Sequence, residues 1–288
     1  MSKLVSLNEL RDQVRFRADM VNSQFITDAE LETYINASCA ELYDVLIQKF
    51  GNDYYLSSSS VSVLSGTSAY DLPSDFYKLV GVDLALTSTD TVSLRKFNWE
   101  ERNVRDNLRR YVRDLRYRIR GNSVIFTPDP TSPETVTVWY IPNIKKLEQI
   151  TSTNTAEAST TTYTVASHNF VANDVIKGSG FTPAGFNVEQ TVSSVTSTTV
   201  VTNLDSSALT ATVEGKLNST FDGVSGWEEY IIVDSAMKCL QKEESDVSVL
   251  FAQKNALIQR IEAAAENRDA GEAECVQDME AYETNTIY

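Results

Sequence analysis

This chain of 288 residues is poor in the side chains on which most enzyme sites are built. It has a single histidine, His168, in a polar stretch beside Asn169. Any Ser-His-Asp or Cys-His arrangement would have to use that one residue, and no Cys/His spacing suits a zinc ion. Cysteine is scarce as well. Cys39, Cys239 and Cys275 are odd in number and far apart, and the first two fall in helical patterns, so buried free thiols are expected and not a disulfide framework. No run of about 18 apolar residues occurs, so no membrane span is expected. The opening residues, MSKLVSLNELRDQVRFRAD, lack the apolar stretch of a signal peptide, and the chain is expected to act in the cytoplasm where it is made. Positive charge is short too: 25 Lys and Arg stand against 40 Asp and Glu, a net −15. A surface of that sign repels nucleic acid overall, which counts against a conventional DNA-binding protein. It leaves room for a channel whose walls do not hold passing DNA. Gly223 and Gly226 precede a helical pattern as in a phosphate loop, but no Lys follows and Glu228-Glu229 would repel the phosphate. No cofactor or metal site is expected.

What is present is a core: 42% of the residues are hydrophobic, enough for one large domain or for a core with an appended module. Ser6 with Glu9, and Thr27 with Glu30, have the spacing of capping boxes. Behind the second, Leu31, Tyr34, Ile35, Leu42, Leu46 and Phe50 form a helical stripe that ends at Gly51. Residues 54–64 and 78–86 read as strands, and a short helical piece is expected around Trp99 to Leu108. Leu115, Tyr117 and Ile119 alternate with Arg116, Arg118 and Arg120 as a half-buried strand. Gly121-Asn122 then turns into SVIFTP, and ETVTVWYIP supplies a further strand. The segment from Phe221 to Asp269 opens with a glycine-bearing turn, Gly223 to Gly226, and from Trp227 reads as one long amphipathic helix, broken near Ser245-Asp246. Its apolar positions include Ile231, Ile232, Ala236, Leu240, Val247, Leu250, Phe251, Leu257, Ile258, Ile261 and Ala265. Trp227, beside Tyr230 and Ile231, is the expected anchor of that helix. Helices therefore lead and close the chain with an antiparallel sheet between them, an α+β class.

Residues 151–217 differ in composition. They hold 24 Ser or Thr, two lysines and no arginine, with β-branched runs such as TVSSVTSTTVVT between glycine-bearing turns. They read as a small all-β module inserted in a surface loop, preceded by a low-complexity linker, TSTNTAEASTTT. The core is then residues 1–150 with 218–268, a helical bundle of N- and C-terminal helices beside a small antiparallel sheet. Residues 269–288 form an acidic C-terminal arm, read either as a frayed, solvated terminus or as a segment that orders only on a partner.

Three stretches resemble one family, the head-to-tail adaptors of tailed phages. They are LRDQVRFRADM with FITDAELETYINASCAELYDVLIQKFG; YDLPSDFYKLVGVDL with SVIFTPDP and VTVWYIP; and GWEEYIIVDSAMKCLQKEESDVS with AAAENRD. The resemblance covers about three quarters of the chain in order and spacing. It implies a non-enzymatic ring of about twelve copies beneath the portal. The partners it implies are the portal protein, tail or nozzle proteins, further copies of the chain and the DNA passing through. It also implies that a C-terminal segment reaches the portal, for which Met279, Tyr282, Ile287 and Tyr288 would be the apolar anchors.

Ten cations stand against four acids between residues 95 and 120, a local balance of +6 that leaves −21 for the rest of the chain. Arg102, Arg105, Arg109, Arg113, Arg116, Arg118 and Arg120 are the candidate contact residues. The favoured reading is a basic flank meeting the acidic flank of the next subunit through Arg–carboxylate pairs. DNA contact, with Trp99, Tyr111 and Tyr117 available to stack, and a plain solvated face both stay open. Alternatives from other classes are a neck-associated cell-wall hydrolase, for which no carboxylate pair stands out, and a DNA-end-binding structural protein.

Overall fold

Ser6 starts the first helix and fixes its direction. In the computed structural model, which describes residues 4–87, 89–101, 115–130, 132–210, 214–222 and 226–266, Ser6 closes β1 (Leu4–Ser6) and caps α1 (Leu7–Arg17). Its hydroxyl accepts from the Glu9 amide at 3.3 Å while the Glu9 carboxylate accepts from the Ser6 amide at 2.9 Å, a complete capping box. The box expected at α2 (Asp28–Phe50) is only half made. Thr27 accepts from the Glu30 amide, but the Glu30 carboxylate turns to Tyr34 Oη at 2.9 Å and to Lys242 Nζ at 2.7 Å. An ammonium partner outcompetes a neutral backbone amide.

The C-terminal pattern forms two helices, α3 (Glu228–Lys242) and α4 (Ser248–Glu266). They part where Glu244 takes a left-handed φ of 58° and Asp246 accepts from the Ser248 amide at 2.9 Å. α3 is the central helix. It packs against α1, α2 and α4, and Tyr230, Ile231, Ile232, Val233, Ala236, Met237 and Cys239 are all buried. With Leu10 and Val14 of α1 and Leu31, Ile35, Leu42 and Leu46 of α2 they make one continuous core. α4 contributes less. Leu250 and Ile261 are buried, but Phe251, expected on the inner stripe, is 55% exposed. It sits one step off the face that meets α2 and α3, so the apolar residues of α4 outnumber the positions that the bundle covers.

The middle of the chain folds into two four-stranded sheets where a single small sheet was expected. β2 (Ser57–Val63), β3 (Ala69–Asp71), β4 (Phe76–Ala85), β5 (Thr91–Ser93), β6 (Arg95–Lys96), β7 (Arg116–Arg120), β8 (Ser123–Thr127) and β9 (Glu134–Pro142) supply them. One sheet has the order β2-β9-β4-β5 and the other β3-β8-β7-β6. All pairs are antiparallel except β6 with β7, which is parallel. Two sheets are needed because alternation gives each an apolar face that the other must cover. Val63, Val82, Leu84, Val136 and Val138 of one meet Tyr117, Val124 and Phe126 of the other. Gly121 makes the expected β7–β8 turn at φ 58°. Of the helical piece expected at 99–108, Trp99–Glu101 is a single 3₁₀ turn, and the rest lies outside the described residues. The sandwich leans on α2, where Tyr43 Oη donates to the Pro142 carbonyl at 2.6 Å and Tyr77 Oη donates to Asp44 at 2.8 Å.

The Ser/Thr-rich stretch forms a closed barrel. β10 (Gln149–Ala156), β11 (Thr161–Val165), β12 (Val175–Ser179), β13 (Glu189–Val195), β14 (Thr199–Thr202) and β15 (Gly215–Asp222) pair in the order β15-β10-β11-β14-β13-β12. β12 then pairs back onto β15, and β1 extends β15 through Leu4↔Asp222. Closure leaves the six strands no open edge. The segment read as a linker is therefore a β-hairpin, with Thr155 opposite Tyr163. Its hydroxyl-rich strands can be buried because the polar atoms are paired. Gln190, 2% exposed, accepts from Tyr163 Oη at 2.9 Å and Thr202 Oγ1 at 2.7 Å, and Thr161 Oγ1 donates to the Leu204 carbonyl at 2.8 Å. Around them pack Phe170, Ile176, Phe181, Phe186, Val192, Val200 and Leu217.

Candidate functional site

Three features offer themselves as sites: the seat of α3, the basic edge of the sandwich, and the seam where the barrel meets the helices. At the first, Trp227 is 4% exposed and Arg260 lies over its ring at 4.8 Å. Glu229 pairs with Arg17 of α1. One turn further on, Asp234, 3% exposed, is gripped from three sides. Lys254 Nζ donates to Oδ1 at 2.6 Å; Lys238 Nζ at 2.6 Å and Ser38 Oγ at 2.7 Å donate to Oδ2. Both lysines also reach Glu41 at 2.9 Å. Burial alone would raise the Asp234 carboxyl, but the hydrogen bonds from Lys238, Lys254 and Ser38 hold it below its ordinary value. Burial would likewise lower Lys254, and its bonds to Asp234 and Glu41 hold it above the usual lysine value. The network ties α2, α3 and α4 together. Asp234 and Lys238, four apart inside an apolar helix, were its one signal in the sequence; Ser38, Glu41 and Lys254 come from elsewhere in the chain.

The basic edge is built by β6 and β7. Their parallel register sets Arg95 beside Arg116 and Lys96 beside Tyr117. Arg118 and Arg120 lie over the Trp99 ring at 5.9 and 5.7 Å, and that ring is 39% exposed. Arg95, Lys96, Arg118 and Arg120 meet no carboxylate among the described residues. Several cations elsewhere are paired with carboxylates, as in Arg11–Glu32, Arg15–Asp28 and Lys49–Glu262. Arg102, Arg105, Arg109 and Arg113 lie outside the described residues, as do Met279, Tyr282, Ile287 and Tyr288 and the third cysteine.

At the seam, Lys177 meets Glu9 at 2.6 Å, Arg11 donates to Gln149 at 2.9 Å, and Asn36 exchanges two hydrogen bonds with the Leu147 backbone, at 2.9 and 2.7 Å. A crevice of about 450 Å³ opens beside it, lined by Phe170 and Ile176 among others, with Glu148, Asp174 and Asp222 as its acids. Two of the three are committed to structure. Glu148 accepts from the Asn169 amide at 2.6 Å, and Asp174 from Lys145 at 2.6 Å and the Val171 amide at 2.8 Å. His168 holds the Thr196 carbonyl at 2.7 Å through Nε2 and stacks on Phe170. Among the described residues, no group of three His, Cys, Asp or Glu could hold a metal ion, and no helix is long and apolar enough to cross a membrane.

A family model described as SU10 adaptor protein matches residues 5–171. The chain belongs to the SU10 adaptor family. The match spans α1, α2, the whole sandwich and the first hairpin of the barrel, and it stops between β11 and β12. As an SU10 adaptor the chain is a structural phage protein, in agreement with its resemblance to head-to-tail adaptors. No curated protein matches the chain.

Proposed function

We propose that this SU10 adaptor joins head to tail at the neck of a tailed phage. About twelve copies form a closed ring beneath the portal, an expectation that comes from the adaptor resemblance. The ring extends the channel for the genomic DNA and presents a surface to tail or nozzle proteins. Its place is the head–tail junction of the virion, after assembly in the host cytoplasm. What carries this reading is the family match over residues 5–171. The physical features support it in three ways. A heterologous ring needs two unlike flanks on each subunit, and a chain of net −15 with a basic sandwich edge has them. A neck under the pressure of packaged DNA must resist deformation, and the Asp234 network cross-braces three helices. A closed barrel can face outward without offering an open strand edge to other chains.

Residues 1–150 with 218–268 are the adaptor core in this reading, 151–217 the outward module and 269–288 the arm. Met279, Tyr282, Ile287 and Tyr288 are the arm's contacts with the portal. The mechanism is mechanical: the ring seals the genome, keeps an open bore and seats the tail.

A gold-labelled antibody against residues 151–217, imaged on intact virions, tests the location. Label is expected at the head–tail junction. Label on capsid faces or tail tips alone would overturn the reading.

A further inference from the structure

Four cations of the basic edge meet no carboxylate among the described residues. Arg95 and Arg116 are register partners on adjacent strands, where like charges repel. Arg118 and Arg120 share one ring, that of Trp99. Arg95, Lys96, Arg118 and Arg120 meet no carboxylate among the described residues, although the chain carries 15 more acids than bases. An edge of this composition calls for a segment dense in carboxylate and free of cations. The chain has one such segment. From Asp269 to Tyr288 it holds six carboxylates, the first at Asp269 and the last at Glu283, and no lysine or arginine.

We infer that the acidic segment after α4 docks its carboxylates on the β6–β7 edge of the sandwich. Arginine forks take carboxylates in bidentate pairs, and the Trp99 ring beneath Arg118 and Arg120 holds two of the forks in place for them. α4 closes at Glu266 on the side of the bundle where Glu262 pairs with Lys49 of α2, the helix that also touches the sandwich. The last of the carboxylates, Glu283, lies 17 residues beyond Glu266, and that stretch can span up to about 56 Å when extended. The inference supplies the acidic counterpart that the ring reading leaves open. The carboxylates take the basic edge, and the apolar side chains of the same segment remain for the portal.

Zero-length carbodiimide cross-linking of the full-length protein tests it, because Lys96 is the one lysine of the edge. Mass spectrometry should join Lys96 to carboxylates between Asp269 and Glu283. The yield should fall at least about fivefold in ~1 M salt, where the screening length is about 3 Å. Arg118→Glu with Arg120→Glu should remove the link. Adding Glu280→Lys and Glu283→Lys should restore proximity, read as protection of the new lysines from acetylation. An equal mixture of ¹⁴N and ¹⁵N chains reports whether the segment comes from the same copy or a neighbour, and either source sustains the inference. Links from Lys96 only to carboxylates of residues 4–266 would overturn it. So would protection of Lys96 by duplex DNA with no link to the C-terminal segment, which would assign the edge to phosphate. Failure of the ring reading is separable: a monomer mass with Lys96–tail links leaves this inference standing, and a ring without them removes it alone.

Discussion

Replacing Asp234 by asparagine removes one charge from the middle of the helical bundle and almost no volume. The carboxylate is 3% exposed and receives three hydrogen bonds of 2.6 to 2.7 Å, two of them from ammonium groups. In Asp234→Asn those two lysines, whose side chains are 18% and 22% exposed, keep Glu41, itself nearly half exposed, as their shared carboxylate. Removing one partner from a buried ionic network costs about 3–5 kcal/mol. Partial access of both lysines to water brings the expected loss to about 2–4 kcal/mol. For a chain of this length, a loss of about 3 kcal/mol lowers Tm by about 5 °C if it unfolds as one unit, and by more if the bundle melts alone.

The pH dependence has a definite sign. Asp234 is held below its ordinary value, so its contribution is full above an unfolded pKa of about 3.9 and is lost as pH falls through the folded value. Lys254 is held above its ordinary value, so its contribution is full below about 10.4 and is lost as pH rises through the folded value. The gap between wild type and Asp234→Asn should therefore be constant near neutrality and close below about pH 4. Thermal melts followed by circular dichroism from pH 3 to 8 measure it. A Tm within about 1 °C of wild type at pH 7, or a gap that widens in acid, would refute the assignment of the network as a brace.

Other expectations follow from single contacts. Trp227→Ala should destabilise by about 3–5 kcal/mol, read by denaturant titration, and Arg260→Met, which keeps the indole but removes the cation over its ring, should cost less. Burial pushes the Cys39 thiol up to about 12 and the Cys239 thiol up to about 11, so neither should react with a thiol reagent at pH 8 until the chain unfolds. A Cβ at Gly215 would run into the buried Phe181 ring. Gly215→Ala should therefore cost the barrel about 1–3 kcal/mol, and Phe181→Leu in the same chain should recover part of it.

The helices were legible because their signals are local. The Ser6–Glu9 box, the stripe from Leu31 to Phe50 and the break near Asp246 all lie within a few residues of the structure they dictate. Phe251 misled because period alone does not say which apolar positions a neighbouring helix covers. The second sheet and the closed barrel were not legible because pairings such as β12 with β15 join positions some forty residues apart. TSTNTAEASTTT read as a linker since Ser and Thr look like solvent-facing residues. Thr155 and Thr161 are buried instead, and Thr161 is satisfied by the Leu204 carbonyl and Ser206. The basic edge could be seen as a strand of alternating arginines, but its partner β6 and the stacking on Trp99 depend on a loop closure that no local pattern announces.

Assembly on the portal is tested by particle mass, measured for the purified protein alone and mixed with the portal ring of its phage. Each chain is 32.1 kDa, so a ring of about twelve adds roughly 385 kDa to the portal. The account predicts a gain near that value at physiological salt. A portal whose mass does not change under any salt condition would contradict it.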